Sequence, residues 1–195
     1  MPPLVCKSTC TYFKHTGYCY CPYTIKMPWY DAKTYCRSLK NNWGGESDLA
    51  SVHDEKTMQF LVSLAMTKKH KEWKSRGASA FWIGLCKTRG SWQWTDNTPF
   101  CYNNWATGQP TNGRLAYDEL FVEFYLVSLT SILQNVLSYS HLFNQAFDYW
   151  GNFNAGKWND NRQIRKKSFI CQHSGATYDI QHTFFLTLKV SSSTY

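Results

Sequence analysis

The sequence predicts an α+β domain, and three observations carry that expectation. In FWIGL the residues Phe81, Ile83 and Leu85 fall on one face at period two, Trp92 and Trp94 of SWQWT do the same, and TRG between them is a turn. Ahead of this strand pair lie two helical stripes. Ala32, Tyr35 or Cys36, and Leu39 share one face, and Met58, Leu61, Leu64 and Ala65 share another. Eight cysteines, an even number, accompany 17% aromatic residues, which points to a disulfide-supported extracellular module rather than a cytosolic enzyme.

At 195 residues the chain is long enough for one domain with a sizeable core. Its opening, CKSTCTYFKHTGYCYC, is dense in cysteine and aromatic residues and predicts a short hairpin. The first helix begins near Asp31 and ends before the Asn41–Gly45 breaker cluster; Ser51 with Asp54 marks the start of the second as a capping box. From Asn112 the pattern breaks. The stretch to Phe147 is apolar, rich in Leu and Ser, and has no charged residue between Glu123 and Asp148. Ser, Gln, Asn and His interrupt it, so it is read as an insertion at about 114–147 and not as a membrane span. The N-terminal MPPLVCKSTC lacks the apolar run of a secretory leader, in tension with the cysteine count.

WIGL, the WxW strand, the NW-x-x-GQP loop, KWND and FICQ occur in this order, preceded by Trp29 to Cys36 and Leu49 to Leu61, which match WxxAxxYC and LASVHDExxxxFL. Together they resemble the C-type lectin family, in its long form with an N-terminal cysteine hairpin. The resemblance implies two helices packed on small antiparallel sheets, with a long loop region carrying the ligand site. It covers about residues 6–172, with 173–195 left as a tail. It also implies bridges from Cys36 to Cys171 and from Cys6 to Cys19, leaving Cys10 and Cys21 able to pair with each other. Cys86 and Cys101 are not family standards. A third bridge between them is expected on the view that their strands are neighbours, with two free thiols as the alternative. The family's inner disulfide is missing on both sides of the site.

The same resemblance implies the site. In the family a Glu/Gln-Pro-Asn/Asp triplet, a downstream acid and the Asn-Asp of WND hold calcium and two adjacent sugar hydroxyls together. Carried over, this nominates Gln109, Thr111, Glu119, Asn159 and Asp160, with Pro110 in cis. Thr111 departs from the pattern by supplying a neutral hydroxyl. Asp118, Glu119 and Asp148 compete for the role of the acid. Calcium binding is therefore expected to be weak at most. Gln109 resembles the galactose-preferring pattern more than the mannose-preferring one, and Trp150 is a candidate platform for a sugar's apolar face.

A net charge of +8 gathers at Lys68, Lys69, Lys71, Lys74 and Arg76 and again at Arg162, Arg165, Lys166 and Lys167. Neither cluster has the aromatic interleaving of a nucleic-acid reader. No GxSxG, HExxH, Walker or GxGxxG motif is present, so no enzyme class is nominated. The expected role is a secreted module that binds glycans or glycoproteins. A calcium-independent interaction domain for a protein or polyanion is the alternative.

Overall fold

The computed structural model describes residues 4–40, 45–69, 79–112, 118–126, 155–174 and 176–177. The chain opens with β1 (Leu4–Val5), β2 (Thr11–Phe13) and β3 (Tyr18–Met27), followed by α1 (Trp29–Ser38), β4 (Ser47–Leu49) and α2 (Glu55–Lys69). Then come β5 (Ser79–Thr88), β6 (Ser91–Trp94), β7 (Phe121–Leu126), β8 (Trp158–Asn161), β9 (Lys167–His173) and β10 (Ala176–Thr177). The main sheet runs β2-β3-β9-β5-β7-β8, with β4 also paired to β9 and β6 to β5. Antiparallel pairing was expected throughout, but β5 and β9 run parallel at Phe81↔Ser168 and Trp82↔Phe169.

Helix α1 starts directly after Pro28, whose carbonyl accepts the Ala32 amide at 3.0 Å, and it buries Trp29, Ala32 and Cys36. The cap of α2 is not the expected one. Asp54 itself takes the Thr57 amide on its side chain at 2.7 Å, while Ser51 is held by Gln172, whose Oε1 accepts the Ser51 amide at 2.8 Å. The capping residue thus lies three positions later than the motif suggested, because Ser51 is committed to β9.

Strand β5 is the wall between two cores. Phe81, Ile83 and Leu85 enter a cluster with Met58, Leu61, Leu64 and Ala65 of α2 and with Trp94 and Trp158. Trp82, pointing the other way, joins Trp29, Cys36, Phe169 and Cys171. Both indoles of this second cluster are satisfied: Trp29 Nε1 donates to Ile83 O at 2.9 Å and Trp82 Nε1 to Met27 O at 3.0 Å. Gly84 lies where a Cβ would come within 2.8 Å of Thr95 Oγ1 and 2.9 Å of Leu49 O, so only glycine lets these segments approach so closely.

Cys6 is bonded to Cys19, Cys10 to Cys21 and Cys36 to Cys171. Cys21 is the register partner of Cys171, and Cys19 lies two residues from Cys21, so all three bridges fall on one face of the β3–β9 pair.

Three expectations require correction. Cys86 and Cys101 are not joined; both are free thiols. The reason is that the two lie on opposite sides of the sheet. Leu85 faces the α2 side, so Cys86 packs against the α1 side, whereas Phe100 and Tyr102, the neighbours of Cys101, pack on the α2 side. The expected insertion at 114–147 does not begin where the sequence pattern broke. Phe121–Leu126 is β7, paired with β5 on one side and β8 on the other, and Val122, Phe124 and Leu126 are fully buried. Residues 114–117 and 127–147 of that stretch lie outside the described residues. Finally, β9 continues through His173, and β10 pairs with β1, so strand pairing passes the expected boundary at 172. The strand expected in FFLTLKV lies outside the described residues. Among the described residues no helix is long and apolar enough to cross a membrane.

Candidate functional site

The site is assembled where a long loop folds back onto the end of the β7–β8 pair. Trp158 anchors it. This indole is fully buried, donates to Met58 Sδ at 3.2 Å, and meets the rings of Trp94, Tyr102 and Trp105 edge-on at 5.7–5.8 Å. Its backbone clamps the loop as well: Trp158 N donates to Asn104 O at 2.8 Å, and Ala106 N to Trp158 O at 2.9 Å. Asn159 and Asp160 are thereby fixed beside the loop's continuation, Gln109-Pro110-Thr111, whose Gln109–Pro110 peptide is cis.

Thr111 is the hub. Its amide donates to Asp160 Oδ1 at 2.9 Å and to Gln109 Oε1 at 3.1 Å, and its hydroxyl donates to Glu119 Oε2. The next amide, Asn112 N, donates to Asp160 Oδ2 at 2.7 Å, and Lys87 Nζ holds the Asn112 side chain at 2.7 Å. Asp160, only 1% exposed, thus has one backbone donor on each carboxylate oxygen.

A further group behind the site had no place among the sequence candidates. Glu123, 1% exposed on β7, accepts from Asn159 Nδ2 and Asn161 Nδ2 at 3.1 Å each and is ion-paired with Lys167 Nζ at 2.8 Å. It takes the NH2 side of the Asn159 amide, which fixes that side chain's orientation. An acid in the middle of the apolar run LFVEFYL was the available signal. The carboxylates also mark Tyr125, whose phenol is pushed well above its ordinary range, first by burial and then by the charges of Glu123, Asp160 and Glu119.

The chain's likeness to known proteins agrees with this geometry. A family model for the Lectin C-type domain matches residues 25–118. The C-type lectin lectoxin-Lio2 of Erythrolamprus poecilogyrus is 29% identical over 168 residues, covering 83% of this chain and 80% of that one. Lithostathine-1 of Mus musculus is 26% identical over 163 residues, covering 83% and 75%. Among solved structures, the C-type lectin CEL-I from Cucumaria echinata superposes with a TM-score of 0.62 at 21% identity over 88% of this chain and 99% of that one. Over these residues the chain is similar to the C-type lectin family, and it has the C-type lectin-like fold. The same fold is seen in a calcium-independent type II antifreeze protein, with a TM-score of 0.57 at 19% identity over 89% and 98%, so the fold alone does not decide what this lectin-like domain binds.

Four of the five nominated residues, Gln109, Thr111, Glu119 and Asp160, converge, with Glu119 the acid that reaches Thr111, whereas Asn159 lies on the other face of β8 and donates to its register partner Glu123. Asp118 instead lines a neighbouring cleft, and Asp148 and Trp150 lie outside the described residues. The donors gathered at Thr111 are hard oxygens, as calcium requires: carboxylates from Glu119 and Asp160, the Gln109 amide oxygen and the Thr111 hydroxyl. Their charge is two carboxylates, one more than the sequence secured. Against this, the Thr111 hydroxyl already spans the space between them, lying 3.4 Å from Asp160 Oδ1 while donating to Glu119.

Proposed function

We propose that this lectin-like domain binds glycans, taking a terminal sugar's adjacent hydroxyls at the edge formed by Gln109, Thr111, Glu119 and Asp160. The observation that carries this reading is the convergence of Glu119 and Asp160 on Thr111 beside the cis Gln109–Pro110 bond. Calcium, where bound, would be held by these oxygens and would supply coordination to the same hydroxyls. With two carboxylates and one neutral hydroxyl the affinity for the ion is weak. Gln109 in the first triplet position favours a galactose-type over a mannose-type ligand. The partners are extracellular glycans or glycoproteins. Three disulfides support that compartment, and the role is that of a binding module rather than an enzyme.

Titration with methyl galactoside and methyl mannoside, with calcium and with chelator, tests this. Galactoside binding that is lost in chelator and in Asp160→Ala supports the reading; no binding of either sugar in millimolar calcium overturns it.

One observation favours a second reading, a calcium-independent interaction domain. The Thr111 and Asn112 amides and the Thr111 hydroxyl already satisfy both carboxylates without an ion. Exposed Arg165 and Lys166 would then draw an anionic partner. Binding that persists in chelator but fades with salt identifies this case.

A further inference from the structure

Among the described residues, one group of three side chains with metal-binding atoms lies together outside the triplet edge. It comprises Cys10, Cys21 and His173, whose sulfurs and ring nitrogen are all within 4.8 Å of one another. The sheet puts them there. Thr11 pairs with Tyr20 in the β2–β3 hairpin, so Cys10, one step earlier, stands opposite Cys21, to which it is bonded. On the other side of β3, Cys21 is the register partner of Cys171 and Cys19 that of His173. Residues two apart on a strand share a face, so the His173 ring stands beside the Cys10–Cys21 bridge.

The three bridges are not equally open to attack. Cys36 and Cys171 are both fully buried, whereas Cys10 is half-buried and joined to a Cys21 that is 1% exposed. Cys6 is half-buried as well, but no third ligand is grouped with its bridge among the described residues. An external dithiol attacks through one thiolate at the Cys10 sulfur and expels Cys21 as a thiolate. The reagent's second sulfur then displaces Cys10, so two electrons pass to the protein and the reagent leaves as a disulfide. The dithiol's two protons go to solvent when a metal takes both thiolates.

What remains suits zinc. Two thiolates and one imidazole form a donor set that zinc takes tetrahedrally, with ligand atoms about 3.5–3.8 Å apart, so each atom shifts on the order of 1–2 Å once the bridge is open. His173 is 1% exposed, and burial favours the neutral imidazole, the form that ligates. Thr9 Oγ1 lies 3.8 Å from Cys10 Sγ, in place to donate to a thiolate. Ser47, the register partner of His173 on β4, is 7% exposed, and its hydroxyl has no hydrogen-bond partner among the described residues. A metal-bound water beside His173 would supply one.

We propose that Cys10, Cys21 and His173 are the zinc ligands of the reduced protein: once a dithiol opens the Cys10–Cys21 bridge, the two thiolates and the imidazole hold one Zn2+, with water in the fourth position. The metal then replaces the bridge as the tie between the N-terminal hairpin and the sheet. This site is independent of what the triplet edge binds.

The test reduces the full chain with a stoichiometric dithiol under nitrogen and maps the opened bridges by alkylation and mass. Zinc binding is then read by competition with a chromophoric chelator. The reduced chain should bind one zinc at least about a hundredfold tighter than the oxidised chain, in which the Cys86 and Cys101 thiols give the baseline. Cobalt in place of zinc should show the visible bands of a tetrahedral thiolate complex. Zinc should shield Cys10 and Cys21 from alkylation and leave Cys6 and Cys19 reactive. His173→Gln and Cys10→Ala should each weaken binding about a hundredfold, with tryptophan emission checking that they fold; should either fail to fold, the shielding pattern in the unaltered chain decides. A bridge that stays closed in the folded chain, zinc binding no tighter than the baseline, shielding of Cys6 and Cys19 as well, or undiminished binding by folded His173→Gln overturns the proposal.

Discussion

Replacing Cys36 and Cys171 together with alanine removes a covalent clasp between residues 135 apart in sequence. The chain-entropy relation gives about 17 cal/mol/K for a loop of that length, or about 5 kcal/mol at room temperature. Both sulfurs are fully buried between α1 and β9, so the truncations add a small packing loss in the cluster around Trp29, Trp82 and Phe169. Residual structure in the unfolded chain works the other way and makes 5 kcal/mol an upper figure. A domain of this size typically has 5–15 kcal/mol in all, so the double variant should sit near the threshold of folding, with a Tm roughly 10–20 °C lower. Guanidinium unfolding followed by tryptophan emission measures this, and the m-value should rise because the freed chain exposes more surface. A loss below about 1 kcal/mol, with the other two bridges verified by mass, would refute the assignment of this clasp as the main link between the first helix and the last long strand.

Other outcomes follow from single groups. In Asp160→Ala the amides of Thr111 and Asn112 lose their charged acceptor and should exchange with solvent about tenfold faster or more by NMR; unchanged protection would mean that the loop is held by other contacts. His173 is 1% exposed, and burial lowers its pKa from 6.5 to about 4. The unfolded chain then binds the proton more tightly, so this group's contribution is complete above pH 6.5 and declines as pH falls toward 4, by at most about 3 kcal/mol. His173→Gln should flatten the stability profile in that window. A thiol reagent should label Cys101, which is exposed, at once. Cys86 should react slowly, since it is half-buried and its thiol is pushed up first by burial; absence of any labelling would show the two to be bonded after all.

Much of the fold was legible where periodicity and burial coincide. Phe81, Ile83 and Leu85 share a face in the sequence and a core in the structure, as do Met58, Leu61, Leu64 and Ala65. The convergence of Gln109, Thr111 and Asp160 followed from the family resemblance and could not have come from local pattern, since 49 residues separate Thr111 from Asp160. Strand β7 was hidden because it is buried on both faces, which erases alternation and merges Phe121–Leu126 with the apolar stretch beyond it. Alternation from Leu85 already put Cys86 on the other face, but the Cys86–Cys101 expectation failed on the placement of Cys101, which sits in a loop whose side of the sheet no periodicity displays. Glu123 was passed over because a buried carboxylate's worth depends on partners up to 44 positions away, here Asn159, Asn161 and Lys167, which no window of sequence displays.

The three bridges on one side of β3–β9 bear on how the molecule would survive damage. Cys6, Cys10 and Cys36 all lie before the long middle of the chain, and Cys171 lies after it. A protease that severs any one peptide bond between Cys36 and Cys171 would produce two polypeptides that still migrate as a single species until a reductant is added. Nicked material would thus keep Thr111 and Asp160 in one particle, so that enzymatic scission and loss of the site become separable events.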